Sequence, residues 1–329
     1  MKVAICYNLK REESGYLSAE YDGFYTVEAI SKALQSRGAE TLLVEANEDA
    51  FEILRKIKPQ IDIVFNIAEG IRGNSRESHI PAVLEFLNIH YAGPGIDCTA
   101  NALNKSLTKK LLQRYRIRTA PWAVISSTNR NGLDKLRMPV VIKPNHEGSS
   151  IGIEGGKSLS NSVRSIIRRA KEIEKKYNQP ALVEEFLPGA EITVGLFGEK
   201  EPEVLPFLEI YTDMYPKATG GLVTKNAKTI FEKDNYSGQP RNLSVGVKRK
   251  IKKMVVEAYT LLNCRDFGRV DIRIDRDGEP CVMELNPIPG ISPRIEDVSY
   301  FTKICRSAGI SYEEMIWKIV NNALKRKNK

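Results

Sequence analysis

The chain of 329 residues lacks several things at once. No apolar run approaches the roughly 20 residues that cross a bilayer, so no membrane span is expected. There is no C-x-x-C pair. The five cysteines (Cys6, Cys98, Cys264, Cys281 and Cys305) are scattered and odd in number, which argues for small side chains in a reducing compartment and against a disulfide framework. Only three histidines occur (His79, His90 and His146), and none has the spacing of a zinc site. The phosphate-loop pattern G-x-x-x-x-G-K-[ST] is missing, as are internal repeats and low-complexity tracts. Met1-Lys2-Val3-Ala4-Ile5 enters a strand pattern with neither an apolar leader nor a small-residue cleavage site, so a cytoplasmic location is expected.

What is present is a soluble, globular composition, 42% hydrophobic and 28% charged, with a net charge of +9. The basic surplus is spread along segments such as Arg164–Lys176 and ends in Lys325-Arg326-Lys327-Asn328-Lys329. It reads as a solvated surface or as a basic cleft for an anionic ligand. Clustered basic residues interleaved with aromatics are not found, so no nucleic-acid partner is expected.

The length predicts two or three domains. In the first hundred residues apolar strands (Lys2–Tyr7, Glu40–Glu45, Ile61–Asn66) alternate with helical periodicity (Phe24–Gln35, Ala50–Ile57, Ser78–Leu87), the mark of a parallel α/β sheet covered on both faces. Ligands of such sheets bind beyond the C-terminal strand ends, where two long polar loops follow, Asn8–Asp22 and Ile67–Glu77. Gly/Pro punctuation in Tyr91–Cys98 marks a boundary. Beyond it come a lysine-dense helix (Lys105–Tyr115), strands at Pro121–Ser126, Pro139–Pro144 and Ala181–Leu187, and a charged helix, Ser160–Lys176, capped by Ser160 or Asn161. After Pro188-Gly189 the strands Glu191–Phe197, Glu203–Ile210, Phe267–Ile274 and Cys281–Leu285 are expected, with helices at Val245–Leu262 and Tyr312–Leu324 and an aperiodic, loop-like stretch at Tyr211–Asn242. Asp277-Gly278 is a hairpin tip.

Glu284 and Asn286, two apart on one strand, share a face, and Asp271 lies on the preceding strand across that hairpin. Two carboxylates and an amide oxygen suit Mg²⁺, which draws its remaining ligands from water and phosphates; they equally describe an exposed polar sheet face. Lys105 opens a helix and Lys143 closes a buried strand, so each needs an anion nearby or must snorkel to a domain edge. Asn145–Gly152 (NHEGSSIG) has glycines and hydroxyls able to wrap a phosphate, and is also an ordinary hairpin loop. Val183–Leu187 can offer backbone groups to an adenine and Glu191 a carboxylate to a ribose, or the segment can be a domain hinge.

In order, Lys105, IKP-x₃-GSSIG, VEEFLPGAE, GRVDIRID and MELNPIPG closely resemble the D-alanine–D-alanine ligase family of the ATP-grasp superfamily, over nearly the whole chain. The resemblance implies three units: an N-terminal pre-ATP-grasp α/β domain (1–96), a central ATP-grasp subdomain with a glycine/serine lid (97–187) and a C-terminal subdomain with the metal site (188–329). It implies ATP and two Mg²⁺ (or Mn²⁺) as cofactors, amino-acid or other carboxylate substrates, and a homodimer through the N-terminal domain. Lys105, Lys143 and Lys228 would meet the phosphates and Ser149 and Ser150 would close over them. Glu184 would accept from the adenine amino group, Glu185, Phe186 and Leu187 would line the base, and Glu191 would hold the ribose. Asp271, Glu284 and Asn286 would hold the metals, and Arg269 and the Gly290 backbone would stabilise a tetrahedral intermediate. The implied reaction makes an acylphosphate from a carboxylate and ATP. An amine then displaces phosphate to give an amide, within peptidoglycan precursor synthesis by default.

The sequence departs from the family pattern in the substrate half. The family's HG-x-x-GEDG-like loop is replaced by Phe65–Ile80 (FNIAEGIRGNSRESHI), which puts Asn66 at the histidine position and adds the charges Glu69, Arg72 and Arg76. Glu20 is the best match to the acid that anchors the first amino group, and Ser299 to the serine that holds the second carboxylate. Thr229 stands where a tyrosine is usual. The alternative is therefore a ligase of the same architecture acting on other amino acids or a peptide-like metabolite, with Arg72 and Arg76 receiving an extra carboxylate. A non-catalytic ATP-binding module is disfavoured, because binding alone does not require Arg269. Lys143 is expected within reach of Glu284 across one cleft.

Overall fold

The computed structural model describes residues 1–216, 219–223, 236–297 and 299–327. Three sheets carry it. The first is wholly parallel, in the order β2-β1-β3-β4, from β1 (Lys2–Tyr7), β2 (Glu40–Glu45), β3 (Ile63–Asn66) and β4 (Tyr91–Ala92). Side chains alternate along a strand. Val3, Ile5 and Tyr7 therefore enter the core shared with α1 (Phe24–Gln35), while Ala4 and Cys6 join Leu54 of α2 (Ala50–Ile57) and Leu84 of α3 (His79–Phe86) on the other face. An unbroken apolar strand such as KVAICY requires cover on both sides, and it has it.

Helices α4 (Ile96–Leu103) and α5 (Lys105–Arg114) lead to the second sheet, antiparallel in the order β5-β8-β6-β7. It comprises β5 (Trp122–Ile125), β6 (Val140–Pro144), β7 (Leu159–Ser160) and β8 (Ala181–Glu185). Val140, Ile142, Ala181 and Val183 share a core with Ile166, Ala170 and Ile173 of α6 (Val163–Tyr177), which leaves the alternate residues Lys143 and Glu184 for the opposite face. The N-cap of α6 is Ser162 rather than Ser160 or Asn161. Ser160 is drawn into β7, where its hydroxyl accepts the Ser162 N–H at 3.2 Å.

The third sheet is antiparallel, in the order β11-β10-β9-β12-β13. Its strands are β9 (Glu191–Phe197), β10 (Glu203–Ile210), β11 (Ser237–Gly238), β12 (Phe267–Ile274) and β13 (Pro280–Asn286). Val270 and Ile272 pack with Ile251, Val255 and Ala258 of α7 (Val245–Leu261), so Arg269, Asp271 and Arg273 point away from that core. The β12–β13 register then slips: Asp271 faces Glu284, but Ile272 faces Val282. The extra residue, Met283, lets Val282 and Leu285 both reach the core although they are three apart, and it turns Glu284 outward. Helix α8 (Tyr300–Ser307), like α4 not foreseen in the sequence, and α9 (Tyr312–Lys327) finish the described chain. Their Phe301, Ile304, Ile316 and Ile319 share one core with Val3, Ile5 and Ile30, fixing the third sheet against the first. Of the stretch expected as a loop at Tyr211–Asn242, the described part contains the turn Thr212–Met214 and the short β11. No helix among the described residues is long and apolar enough to cross a membrane.

Candidate active site

Two cavities open between these sheets, and both are lined by Arg269 and Glu284. One lies between the second and third sheets, lined by Lys143, Ser150, Glu184 to Leu187, Glu191, Asp271 and Arg273. The other extends toward the loops of the first sheet, lined by Glu20, Glu69, Glu77, Lys105, Ser149, Gly290 and Ser299. The tip of the NHEGSSIG loop sits over the seam. Ser149 and Ser150 both take positive φ (45° and 59°), rare for residues with a Cβ, and this turn sends one serine to each cavity.

The first cavity is organised by buried ion pairs. Glu184, only 1% exposed, lies 2.6 Å from Lys143 and 2.9 Å from Lys109. Burial would push its carboxyl up, but the two ammonium groups outweigh burial and hold it at about 2. Lys143 is raised because Glu184, with Glu284 behind it, overcomes its own desolvation. Lys109 is lowered, because burial and neighbouring Lys143 outweigh the pull of Glu184. Lys143 bonds Glu184 and, as expected from the sequence, shares one cleft with Glu284, whose charge acts on it; Glu284 is itself held by Lys105 at 3.2 Å. Glu184 Oε2 is fully buried against Lys109, which does not line the cavity, while Oε1 lies against Lys143, which does. The base slot also holds Phe186, whose ring lies under the Arg273 guanidinium at 4.9 Å, and Glu191, held by Arg273 at 3.1 Å.

At the seam, Arg269 Nε and Nη2 donate to the two oxygens of Asp271 at 2.9 and 2.8 Å. Thr193 and Asn286 donate to the same carboxylate at 2.6 and 2.9 Å. Burial works against the Arg269 charge, but Asp271 and Glu284 raise the guanidinium above its ordinary value. Burial would likewise raise Glu284, and Lys105, Lys143 and Arg269 instead hold it well below the carboxylate range. Asp271 and Glu284 are register partners across the hairpin, and Asn286 donates its amide nitrogen to Asp271, so the three residues expected to hold Mg²⁺ are neighbours on adjacent strands. Among the described residues no group of three His, Cys, Asp or Glu forms a metal cage. Two carboxylates and one amide fit an ion that takes its other ligands from phosphates. Lys105 is positioned by asparagines: Asn145 accepts the Lys105 N–H through its carbonyl and the Ser106 N–H through its side chain, both at 3.0 Å. Asn104 caps α5 by accepting from Leu107 at 3.1 Å.

The second cavity departs more from expectation. Arg76, 3% exposed, donates to both oxygens of Glu20 (2.8 and 2.7 Å), to Glu147 (3.0 Å) and to the His146 carbonyl (3.1 Å). Glu20 also accepts the Gly148 N–H at 2.8 Å, and a Cβ on Gly148 would come within 2.7 Å of the same oxygen. Glu20 therefore latches the serine loop instead of offering a free carboxylate to an amino group. Arg76 is spent on two acids and is no receptor for an extra substrate carboxylate. Arg72 is 69% exposed, pairs with Glu48 and lies outside the cleft. Asn66 is wholly buried: its Oδ1 accepts from Ala68 at 3.2 Å, and it too is absent from the cleft wall, which instead carries Ile67 and Glu69. Ser299 does line the cleft, with its hydroxyl donated to the Gly290 carbonyl. Lys228 and Thr229 lie outside the described residues.

Sequence reasoning passed over Lys109, although its i+4 spacing from Lys105 puts both on one helix face. It also passed over Glu77, which follows Arg76 in the same turn and lines the cleft, and over the role of Asn145.

A family model described as D-ala D-ala ligase C-terminus matches residues 111–321. A D-alanine–D-alanine ligase of Carboxydothermus hydrogenoformans is 32% identical over 96% of this chain and 98% of its own length. An uncharacterised protein of Sinorhizobium fredii is 32% identical over 91% of this chain and 87% of its own. The crystal structure of the D-alanine–D-alanine ligase from Bacillus anthracis complexed with ATP superimposes with a TM-score of 0.77 over 100% of this chain and 99% of that one, at 22% identity, which is a likeness of fold. The chain belongs to the D-alanine–D-alanine ligase family and is an ATP-dependent ligase of that type.

Proposed function

We propose that the chain joins the carboxylate of one amino acid to the amine of another, D-alanine in both positions as in the named relatives, with release of ADP and phosphate. The observation that carries this reading is the seam: two cavities of different character share Arg269 and Glu284, and one serine of the same loop faces each. A carboxylate in the second cavity would meet the terminal phosphate of ATP in the first at that seam. Its oxygen attacks phosphorus, ADP leaves, and the acylphosphate is then attacked by the amine; a tetrahedral intermediate collapses to the amide and phosphate.

Phosphoryl transfer is mostly positioning and charge stabilisation. Lys143 and Lys105, each fixed by a glutamate, would face the triphosphate, with Ser150 above it. Glu184 and the segment Glu185 to Leu187 line the slot that would take the adenine, and Glu191 stands toward the sugar. Asp271, Glu284 and Asn286 would hold Mg²⁺, which when bound neutralises phosphate charge. Arg269 and the Gly290 backbone line the cavity wall where an oxyanion would form, and Ser299 stands nearby for the second carboxylate.

The test is to supply ATP, Mg²⁺ and D-alanine, follow ADP and phosphate, and identify the product by mass. A dipeptide formed with one ADP per bond is the expected result. The absence of ADP release with D-alanine and with a broad panel of amino-acid pairs would overturn the ligation.

A further inference from the structure

The end of the substrate cleft nearest the first sheet holds more acid than base. Arg76 fills all four acceptor positions of Glu20, with help from the Gly148 N–H, inside a pair whose side chains are 3% and 2% exposed. Glu147 is completed by Gln179 at 2.7 Å. The next residue in the turn differs. Glu77 is 7% exposed and lines the cleft, yet its carboxyl makes no hydrogen bond or ion pair with any described residue. Glu69, on the same cleft wall, has no such partner among the described residues either.

A buried carboxylate without a partner is costly, and a second one beside it adds repulsion. Burial, then Glu20, push the Glu77 carboxyl up to about 8 against the pull of Arg76 and Lys105. Burial and Glu77 push Glu69 up as well. The cations that act on Glu77 are already engaged, Arg76 with Glu20 and Glu147 and Lys105 with Glu284, and Lys10, the other lysine on this cavity wall, acts on Asp22. An arrangement of this kind is relieved by a ligand that brings its own positive charge.

We propose that Glu77, supported by Glu69, receives the ammonium group of the carboxylate substrate, the task that Arg76 denies to Glu20. Resting on the ligase reading, this makes the first substrate a zwitterionic amino acid and makes Glu77 its selector against plain carboxylates. Arg76 is a positioning residue that removes Glu20 from competition.

The test measures binding of D-alanine, L-alanine, propionate and lactate to the full chain by calorimetry, with a non-hydrolysable ATP analogue and Mg²⁺, in buffers of differing ionisation enthalpy at pH 7. At least one alanine should bind ten-fold or more tightly than both deaminated acids, and its binding should release a proton, because an arriving ammonium ionises Glu77. In Glu77→Gln the preference and the proton release should both disappear, while ATP-analogue affinity stays within two-fold. Equal binding of alanines and deaminated acids by the unaltered protein overturns the proposal without any variant. So does a Glu77→Gln protein that keeps both preference and proton release. A protein that shows preference and proton release yet never forms ADP would retain the ammonium site and refute ligation instead.

Discussion

The two cavities that meet at Arg269 and Glu284 use the same residue types in opposite proportion. On the nucleotide side every acid but Glu185, which accepts the Arg137 N–H, has a base: Glu184 with Lys109 and Lys143, Glu284 with Lys105, Glu191 with Arg273, Asp271 with Arg269. On the amino-acid side one arginine serves two acids, and Glu69 and Glu77 are left without a base among the described residues. A triphosphate is an anion that needs cations held still, and paired glutamates hold lysines still. An amino acid carries its own cation, and unpaired glutamates await it. The contrast in pairing thus mirrors the charge of the two ligands.

The largest effect is expected at the seam itself. Arg269 belongs to both cavities and donates through two nitrogens to Asp271. Arg269→Ala should lower the rate of ADP formation by about 10²–10³, the usual cost of removing one preorganised donor to a developing oxyanion. The Km for ATP should move far less, since the base and phosphate contacts lie on other residues. Steady-state kinetics separate the two. A loss confined to ATP affinity would place Arg269 wholly on the nucleotide side and break the shared-seam picture.

The next effect sets the halves against each other through pH. Glu184 has a folded pKa of about 2 against an ordinary 4.5. The folded form binds this proton more weakly, so the stabilisation is complete above pH 4.5 and is lost as pH falls toward 2. Glu77 is shifted the other way, to about 8 from 4.5. The folded form holds this proton longer, so stability declines as pH rises from 4.5 to about 8. Glu184→Gln strands two buried lysines and should cost roughly 3–5 kcal/mol at neutral pH, with the deficit shrinking below pH 4.5. Glu77→Gln should match the parent near pH 4.5 and melt several degrees higher at pH 8 to 9. Melting curves across this range measure both; parallel curves for the two variants would erase the contrast.

Much of this was legible in the sequence, for physical reasons that also explain the gaps. Strand and helix periods depend on neighbours two to four residues away, so β1, β9, β12 and α1 are readable from alternation and helical spacing. Glu284, Asn286 and Asp271 are readable for the same reason, since one hairpin brings them together. The bulge at Met283 is not, because it is decided by which of Val282 and Leu285 the α7 core can accept. Helix α4 hides behind the Gly/Pro punctuation that precedes it. The pairing of Glu20 with Arg76 spans 56 residues and joins two loops, so no local period announces it. Once Arg76 takes Glu20, Glu77 is a cleft-lining acid left without a base among the described residues, whereas the family pattern alone points to Glu20.

The smallest effect is expected at Arg72, and it guards the comparison from the outside. Its charge sits in the same loop as Arg76 and, in sequence, looks equally suited to a substrate carboxylate. In the fold it is 69% exposed, pairs with a still more exposed Glu48 and does not line the cleft. Ion pairs in such high dielectric contribute about 0–1 kcal/mol. At 0.15 M salt a charge outside the cleft is also largely screened from a ligand more than about 8 Å away. Arg72→Ala should therefore leave Km for every amino acid in the panel within about two-fold of the parent, and the melting temperature within a degree or two. Arg76→Ala, by contrast, frees Glu20 and Glu147 together and should alter both amino-acid selectivity and stability. If the two arginine variants change selectivity alike, the acid-rich end of the cleft is not what reads the substrate, and the division of labour between the cavities fails on the amino-acid side.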